Sequence, residues 1–196
     1  MWKLVTIPVI IRRNPNNAQE IQVHTQTRKV IDKAYDPLYD GTQETCGETV
    51  EGGESIIDAI VRGVQEEMGA RMEQVVIQII GAGGKRIQHA DHRAHTLSTR
   101  PEDEMLSLEP FGFIQQLKGP QPWVGPVFVV EVRSDFEPQL DEEGEVSAHR
   151  WWTPLELAEV LRTTPIAFMG LHYPALLSVC EDLLDPNGTI RPLISD

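Results

Sequence analysis

The stretch ESIIDAIVRGVQEEMGA, residues 54–70, gathers Glu54, Glu66 and Glu67 around a single Arg62 and leaves a surplus of negative charge. Clustered carboxylates repel one another unless protons or cations intervene, and an all-oxygen cluster favours magnesium, calcium or manganese. The lead-in contains Gly47, Gly52 and Gly53, residues that let backbone groups approach a ligand closely. A plainer account is a solvated ladder of ion pairs, because Arg62 stands four residues after Asp58 and four before Glu66. The helix itself is clear. Ile56, Ile57, Ile60, Val61, Val64 and Met68 recur at helical spacing and form a stripe to be buried. One residue breaks the pattern: Gly63 sits mid-helix, where glycine costs about 1 kcal/mol against alanine.

Other chemistry-bearing residues are weaker signals. His89, His92 and His95 recur at three-residue intervals in HADHRAH, with no cysteine or carboxylate placed to complete a zinc site. An exposed polar loop is the better reading, with phosphate contact as the sharper one. Lys85 and Arg86 are candidates to meet substrate phosphates, against simple surface charge. Trp123, Tyr35 and Tyr39 are candidates to stack on a base or sugar, although such rings more often serve packing. His149, Trp151 and Trp152 read as packing residues.

The elements that must position these groups follow from pattern. Residues 3–12 and 20–31 read as strands flanking the turn-rich NPNNAQ, with Pro8 implying a sheet edge or a bulge. Residues 33–53 read as irregular, and 74–84 as a buried strand ending in glycines. Residues 82–110 read as an insertion or specificity loop carrying a short helix near 101–107. Strand character resumes at 111–117, 125–134 and VSAHRWW. Thr153, Pro154 and Glu156 form a capping-box start for one helix, and 171–184 suits a final helix stopped by Asp185-Pro186. Strands and helices mix without regular alternation, which predicts a single α+β domain over 1–196 with a mixed central sheet.

Composition narrows the partners. The net charge of −13, from 17 basic and 30 acidic residues, excludes duplex nucleic acid and anionic membranes as main partners. A small phosphorylated ligand remains compatible, because a divalent cation inverts the local field. No segment is long and apolar enough to span a membrane, and the N-terminal run lacks a signal-peptide cleavage site. Cys46 and Cys180 have no metal-ligand spacing and read as reduced thiols of a cytoplasmic protein.

Gly47 through Ala70 resembles the Nudix box, G-x5-E-x7-R-E-U-x-E-E-x-G-U with U aliphatic. Glu54, Arg62, Val64, Glu66, Glu67 and Gly69 all fall in register, and GEVSAHRWWTPLELAEVL resembles the segment that closes such domains. The box is degenerate: Glu48 stands for its leading glycine, and Gly63 for the glutamate after the arginine. The resemblance implies an α/β/α sandwich and Mg2+-dependent hydrolysis, with Mn2+ as the alternative ion, of a nucleoside diphosphate linked to another moiety. It implies Glu66, Glu67 and the Gly47 carbonyl as metal ligands, with Glu54 and Arg62 bracing the loop against the helix. For the acid missing at 63 it suggests a late-loop substitute, Glu142 or Glu143, with Glu145 third. A competing reading is a non-catalytic nucleotide sensor or scaffold. The segment near Lys85-Arg86 lacks the proline of ADP-ribose hydrolases and the tyrosine of dinucleoside polyphosphate hydrolases, so the substrate is open, as is a homodimeric state.

Overall fold

The computed structural model describes residues 2–30, 39–87, 96–97, 105–106, 108–118, 122–140 and 144–190. Tyr35, His89, His92, His95, Glu142 and Glu143 lie outside the described residues. In chain order the strands are β1 (Lys3–Asn14), β2 (Asn17–Arg28), β3 (Gln43–Glu44) and β4 (Glu48–Thr49), before helices α1 (Ile56–Met68) and α2 (Met72–Val75). Strands β5 (Val76–Ile80), β6 (Arg86–Ile87), β7 (Thr96–Leu97), β8 (Met105–Leu106), β9 (Gly112–Gln115), β10 (Trp123–Val132) and β11 (Val146–Trp152) follow. Helices α3 (Pro154–Thr163) and α4 (Tyr173–Leu184) complete the described elements.

The main sheet runs β11-β2-β1-β10-β5-β6, with β3 on β2, β4 on β1 and β9 on β10. β1 and β10 are parallel, and the other pairings in this sheet are antiparallel, so the sheet is mixed. Strand alternation divides the apolar residues between two cores. On one face Val5, Ile7, Val9 and Ile11 of β1 and Val127 and Val129 of β10 meet Leu157, Leu161, Leu176 and Val179 of α3 and α4. On the other, Ile10, Phe128, Val130 and Val132 meet Ile57, Ile60, Val64 and Met68 of α1. The result is the expected α/β/α sandwich, with the acidic helix α1 on one face and α3 and α4 on the other.

Two expectations are corrected. Pro8 lies in an interior strand, between β2 and β10, rather than at an edge. The flank of β1 is shared: β4 pairs at Val5 and Thr6, β2 from Ile11 onward, and Pro8 falls in the gap. Its carbonyl accepts from Thr45 Oγ1 at 2.5 Å, so its ring nitrogen faces the same gap and interrupts no ladder. The short helix expected near 101–107 is replaced, in its described part, by β8 paired with β7.

The central pair packs without slack. A Cβ on Gly125 of β10 would stand 2.7 Å from both Ile7 Cδ1 and the Val5 carbonyl oxygen. The side chain can turn aside, but the β1 backbone cannot. Gly125→Ala is therefore expected to destabilise the fold by about 1–3 kcal/mol, read as a lower urea midpoint at unchanged slope.

Candidate active site

Helix α1 is built to hold its polar face over the edge of β4. Ser55 caps it by accepting from the Asp58 N–H at 3.1 Å. Gly69 ends it in the left-handed conformation (φ 69°), where its N–H donates to the Gln65 carbonyl. Arg62 occupies the middle of the exposed face. It donates Nε to Glu54 Oε1 at 3.0 Å and Nη2 to Glu54 Oε2 at 3.1 Å, a two-pronged pairing. Nη2 also reaches the Thr49 carbonyl at 2.8 Å, while Nη1 meets Glu66 at 3.3 Å and Glu48 at 3.2 Å. One guanidinium thus ties the helix, its lead-in loop and β4 together. It pulls the Glu54 carboxyl below the usual carboxylate range.

Glu67, one helical turn beyond Gly63, points inward toward the sheet. Gln26 of β2 donates Nε2 to Glu67 Oε2, and the Gly47 N–H donates to the same carboxyl. Burial, the nearby Glu44 carboxylate and then Glu48 hold Glu67 well above the ordinary range. Glu44 is itself buried, faces Arg28 Nη1 at 3.4 Å, and is raised to about 7, chiefly by burial. Burial also raises Glu48. These three acids share one region with one facing arginine on each side.

Two clefts meet there. The larger, about 780 Å³, is lined by Arg62, Glu66, Gln65, Arg71 and Gln139 among others. The smaller, about 210 Å³, is lined by Glu44, Arg28, Trp123 and His172 among others. Glu48, Glu67 and Glu145 line both.

The sequence candidates therefore separate. Glu54, Arg62, Glu66, Glu67 and Gly47 come together, Trp123 stands at the smaller cleft, and Glu145 reaches the junction. Lys85 and Arg86 do not arrive: they lie at β6, the edge strand farthest from β11, and line neither cleft. Lys85 pairs there with Glu109 at 2.5 Å. Tyr39 lines neither cleft. Four participants escaped sequence reasoning: Gln26, Arg28, Glu44 and His172. Only β-strand alternation bore on the first three, and it gives a face without saying which polar residue matters.

Glu44, Glu48 and Glu67 offer hard oxygen donors, and Gln26 Oε1 is buried beside Glu67 without a partner among the described residues. That donor chemistry fits a divalent cation such as Mg2+ or Mn2+. Among the described residues no three His, Cys, Asp or Glu side chains are grouped closely enough to hold a metal ion between them.

The carboxyl shifts carry a stability signature. A raised acid binds more protons folded than unfolded between its ordinary and its folded values, so stability falls as pH rises through that window. For Glu44 the window runs from 4.5 to about 7, roughly 3 kcal/mol. His172 runs the other way: burial lowers it from 6.5 to about 4, so its contribution is lost as pH falls between those values. The slopes oppose one another below pH 6.5, and above it only the acids act. In EDTA, the melting temperature is expected to fall as pH rises past 6.5, and to fall less in Glu44→Gln.

The family model described as NUDIX domain matches residues 4–169. No curated protein matches the chain in sequence. Among solved structures, a NUDIX hydrolase from Alicyclobacillus acidocaldarius is similar at TM-score 0.59 and 14% identity, covering 94% of this chain and 91% of that one. A C. elegans Ap4A hydrolase binary complex gives TM-score 0.54 and 14% identity, with coverages of 93% and 97%. The NUDIX domain of Shewanella oneidensis NrtR, complexed with ADP ribose, gives TM-score 0.55 and 13% identity, with coverages of 94% and 90%. At these identities the likeness is one of fold.

Proposed function

The chain belongs to the NUDIX domain family, and from that premise we propose that it hydrolyses the phosphoric anhydride of a nucleoside diphosphate linked to another moiety, with a divalent cation bound. The observation that carries this reading is the Glu67 carboxyl. It is held by Gln26 and Gly47 at the junction of two clefts and raised by burial beside Glu44 and Glu48. A carboxyl anchored at the cleft junction, in surroundings that favour its protonated form, is placed to take up a proton as a general base. In the reaction a water oxygen forms a bond to phosphorus, the bridging P–O bond breaks toward the departing phosphate, and the water proton passes to Glu67. A divalent cation, when bound, screens the carboxylates from the anionic substrate and stabilises charge on the phosphoryl group.

The remaining residues position. Arg62 fixes Glu54 and the Thr49 carbonyl, which keeps the lead-in loop against the helix. Glu66, with its side chain 56% exposed, faces the larger cleft and is the outer candidate ligand. Trp123 offers a ring at the smaller cleft for a base or sugar, and Lys3 Nζ already stands 5.1 Å over that ring. Cys46 and Cys180 are free thiols, as a cytoplasmic setting would have them.

The test is an Mg2+-dependent hydrolysis screen over nucleoside diphosphate derivatives, run with Glu67→Gln beside the parent. Turnover by the parent that disappears with the ion and with Glu67→Gln is expected. A second reading, nucleotide binding without turnover, is favoured by the empty position 63. It predicts saturable binding with no product, and activity gained by restoring a carboxylate on the helix.

A further inference from the structure

Gly63 is buried, and the reason lies across the helix–strand contact. A Cβ built there would stand 3.1 Å from Glu48 Cβ, 3.3 Å from Cys46 Sγ and 3.7 Å from Glu48 Cγ. The space a side chain at 63 would enter is taken up by Glu48 together with the Cys46 thiol. Residue 48 is thus the acid standing where the box has glycine, and 63 the glycine standing where the box has an acid. The two departures form one steric unit.

We propose that the carboxylate missing from α1 has changed places with its neighbour, so that Glu48 on β4 supplies the ligand to a divalent cation that position 63 would otherwise give. The inference rests on the cation-assisted hydrolase reading and names the residue that completes it. Glu48 rises from the strand toward the same junction as Glu67, since both line the two clefts. Arg62 Nη1 holds Glu48 Oε1 at 3.2 Å, and the Thr49 N–H donates to that same oxygen at 2.8 Å, so the carboxyl is oriented rather than adrift. Beyond the carboxylates themselves, the free end of the Gln26 amide points to a ligand. Gln26 is 1% exposed, its Nε2 is spent on Glu67, and Oε1 of the same amide has no partner among the described residues. A buried carbonyl oxygen left unpaired beside the Glu67 and Glu44 carboxylates is a donor suited to a cation, since leaving it unsatisfied is costly. No substitute from the late loop is then needed.

The experiment measures Mn2+ binding to the full chain by electron paramagnetic resonance of the free ion, without substrate, together with thermal melts. Glu48→Gln, which keeps the side-chain shape, is expected to weaken Mn2+ binding by about tenfold or more. Gly63→Glu alone should melt below the parent, because its Cβ meets Glu48. The exchange variant carrying both Glu48→Gly and Gly63→Glu should recover the melting temperature and bind Mn2+ to within about tenfold of the parent. A purely bracing role for Glu48 would lower the melt and leave the ion affinity of the folded chain unchanged, which overturns the proposal. So would a folded exchange variant that binds no Mn2+, or a Gly63→Glu chain as stable as the parent. If Glu67→Gln loses the ion while Glu48→Gln keeps it, the exchange fails and the hydrolase reading stands. A parent that binds no Mn2+ sinks both.

Discussion

Glu67→Gln is expected to lose hydrolysis by about 10²–10⁴-fold while melting higher than the parent in EDTA at pH 8. Activity falls because the amide cannot take the water proton. Stability rises because desolvation and the neighbouring Glu44 and Glu48 disfavour the ionised form of this carboxyl in the folded chain. The sign follows from linkage: the folded carboxyl titrates above its ordinary value, so ionising it at pH 8 costs folding free energy that glutamine does not incur. The advantage should shrink toward pH 4.5 and vanish below it, where the parent is protonated in both states. Adding Mn2+ at pH 8 should reverse the order, because a bound ion stabilises only the chain that binds it. Melting curves at two pH values, with and without the ion, decide this. A Glu67→Gln chain that is no more stable in EDTA at pH 8 would mean the acids are already compensated.

Arg62→Ala is the second large effect, expected at about 2–4 kcal/mol of lost stability. The guanidinium is three-quarters shielded and serves Glu54, Glu48, Glu66 and the Thr49 carbonyl. Removing it deprives three carboxylates of their shared cation and leaves the loop carbonyl without its donor. Arg62→Lys keeps the charge but not the fork, so it should recover less than half of the loss. Urea midpoints measure both, and double mutants with Glu54→Gln should show strong coupling, since the bidentate pair is the shortest of the three contacts. Hydrolysis should fall as well, through the loop that carries Gly47 and Glu48.

Sequence and structure agree where periodicity speaks. The apolar stripe of α1, the Thr153–Glu156 capping box and the strands on either side of the sheet all come from local pattern. Arg62 and Glu67 share that helix, while the pairing of Glu54 with Arg62 across the lead-in loop is what the box resemblance implies. What the sequence does not give is anything set by contacts across elements. Pro8 reads as marking an edge or a bulge because nothing local reveals that β1 changes partner beside it. Glu44 and Gln26 are separated from Glu67 by a loop and two strands, and no spacing rule joins them. Lys85 and Arg86 look like a cationic mouth until the sheet order carries them to the far edge. Glu48 and Gly63 each read as a defect until the packing shows one filling the place of the other.

The parallel pairing of β1 with β10 also governs when this chain can fold. Ile7, synthesised first, finds its register partner only in Val127. Every intervening element must emerge before the middle of the sheet can zip. Loop-closure entropy is then met before the central contacts reward it, the circumstance that makes non-local folds slow. On the ribosome, the apolar run of β1 must wait without its principal neighbour while α1 and β5 are made. Chains arrested before β10 should show no protease-resistant core, and chains released after α4 should acquire it in one step. The strand that anchors the finished protein is, during its birth, the segment most in need of shelter.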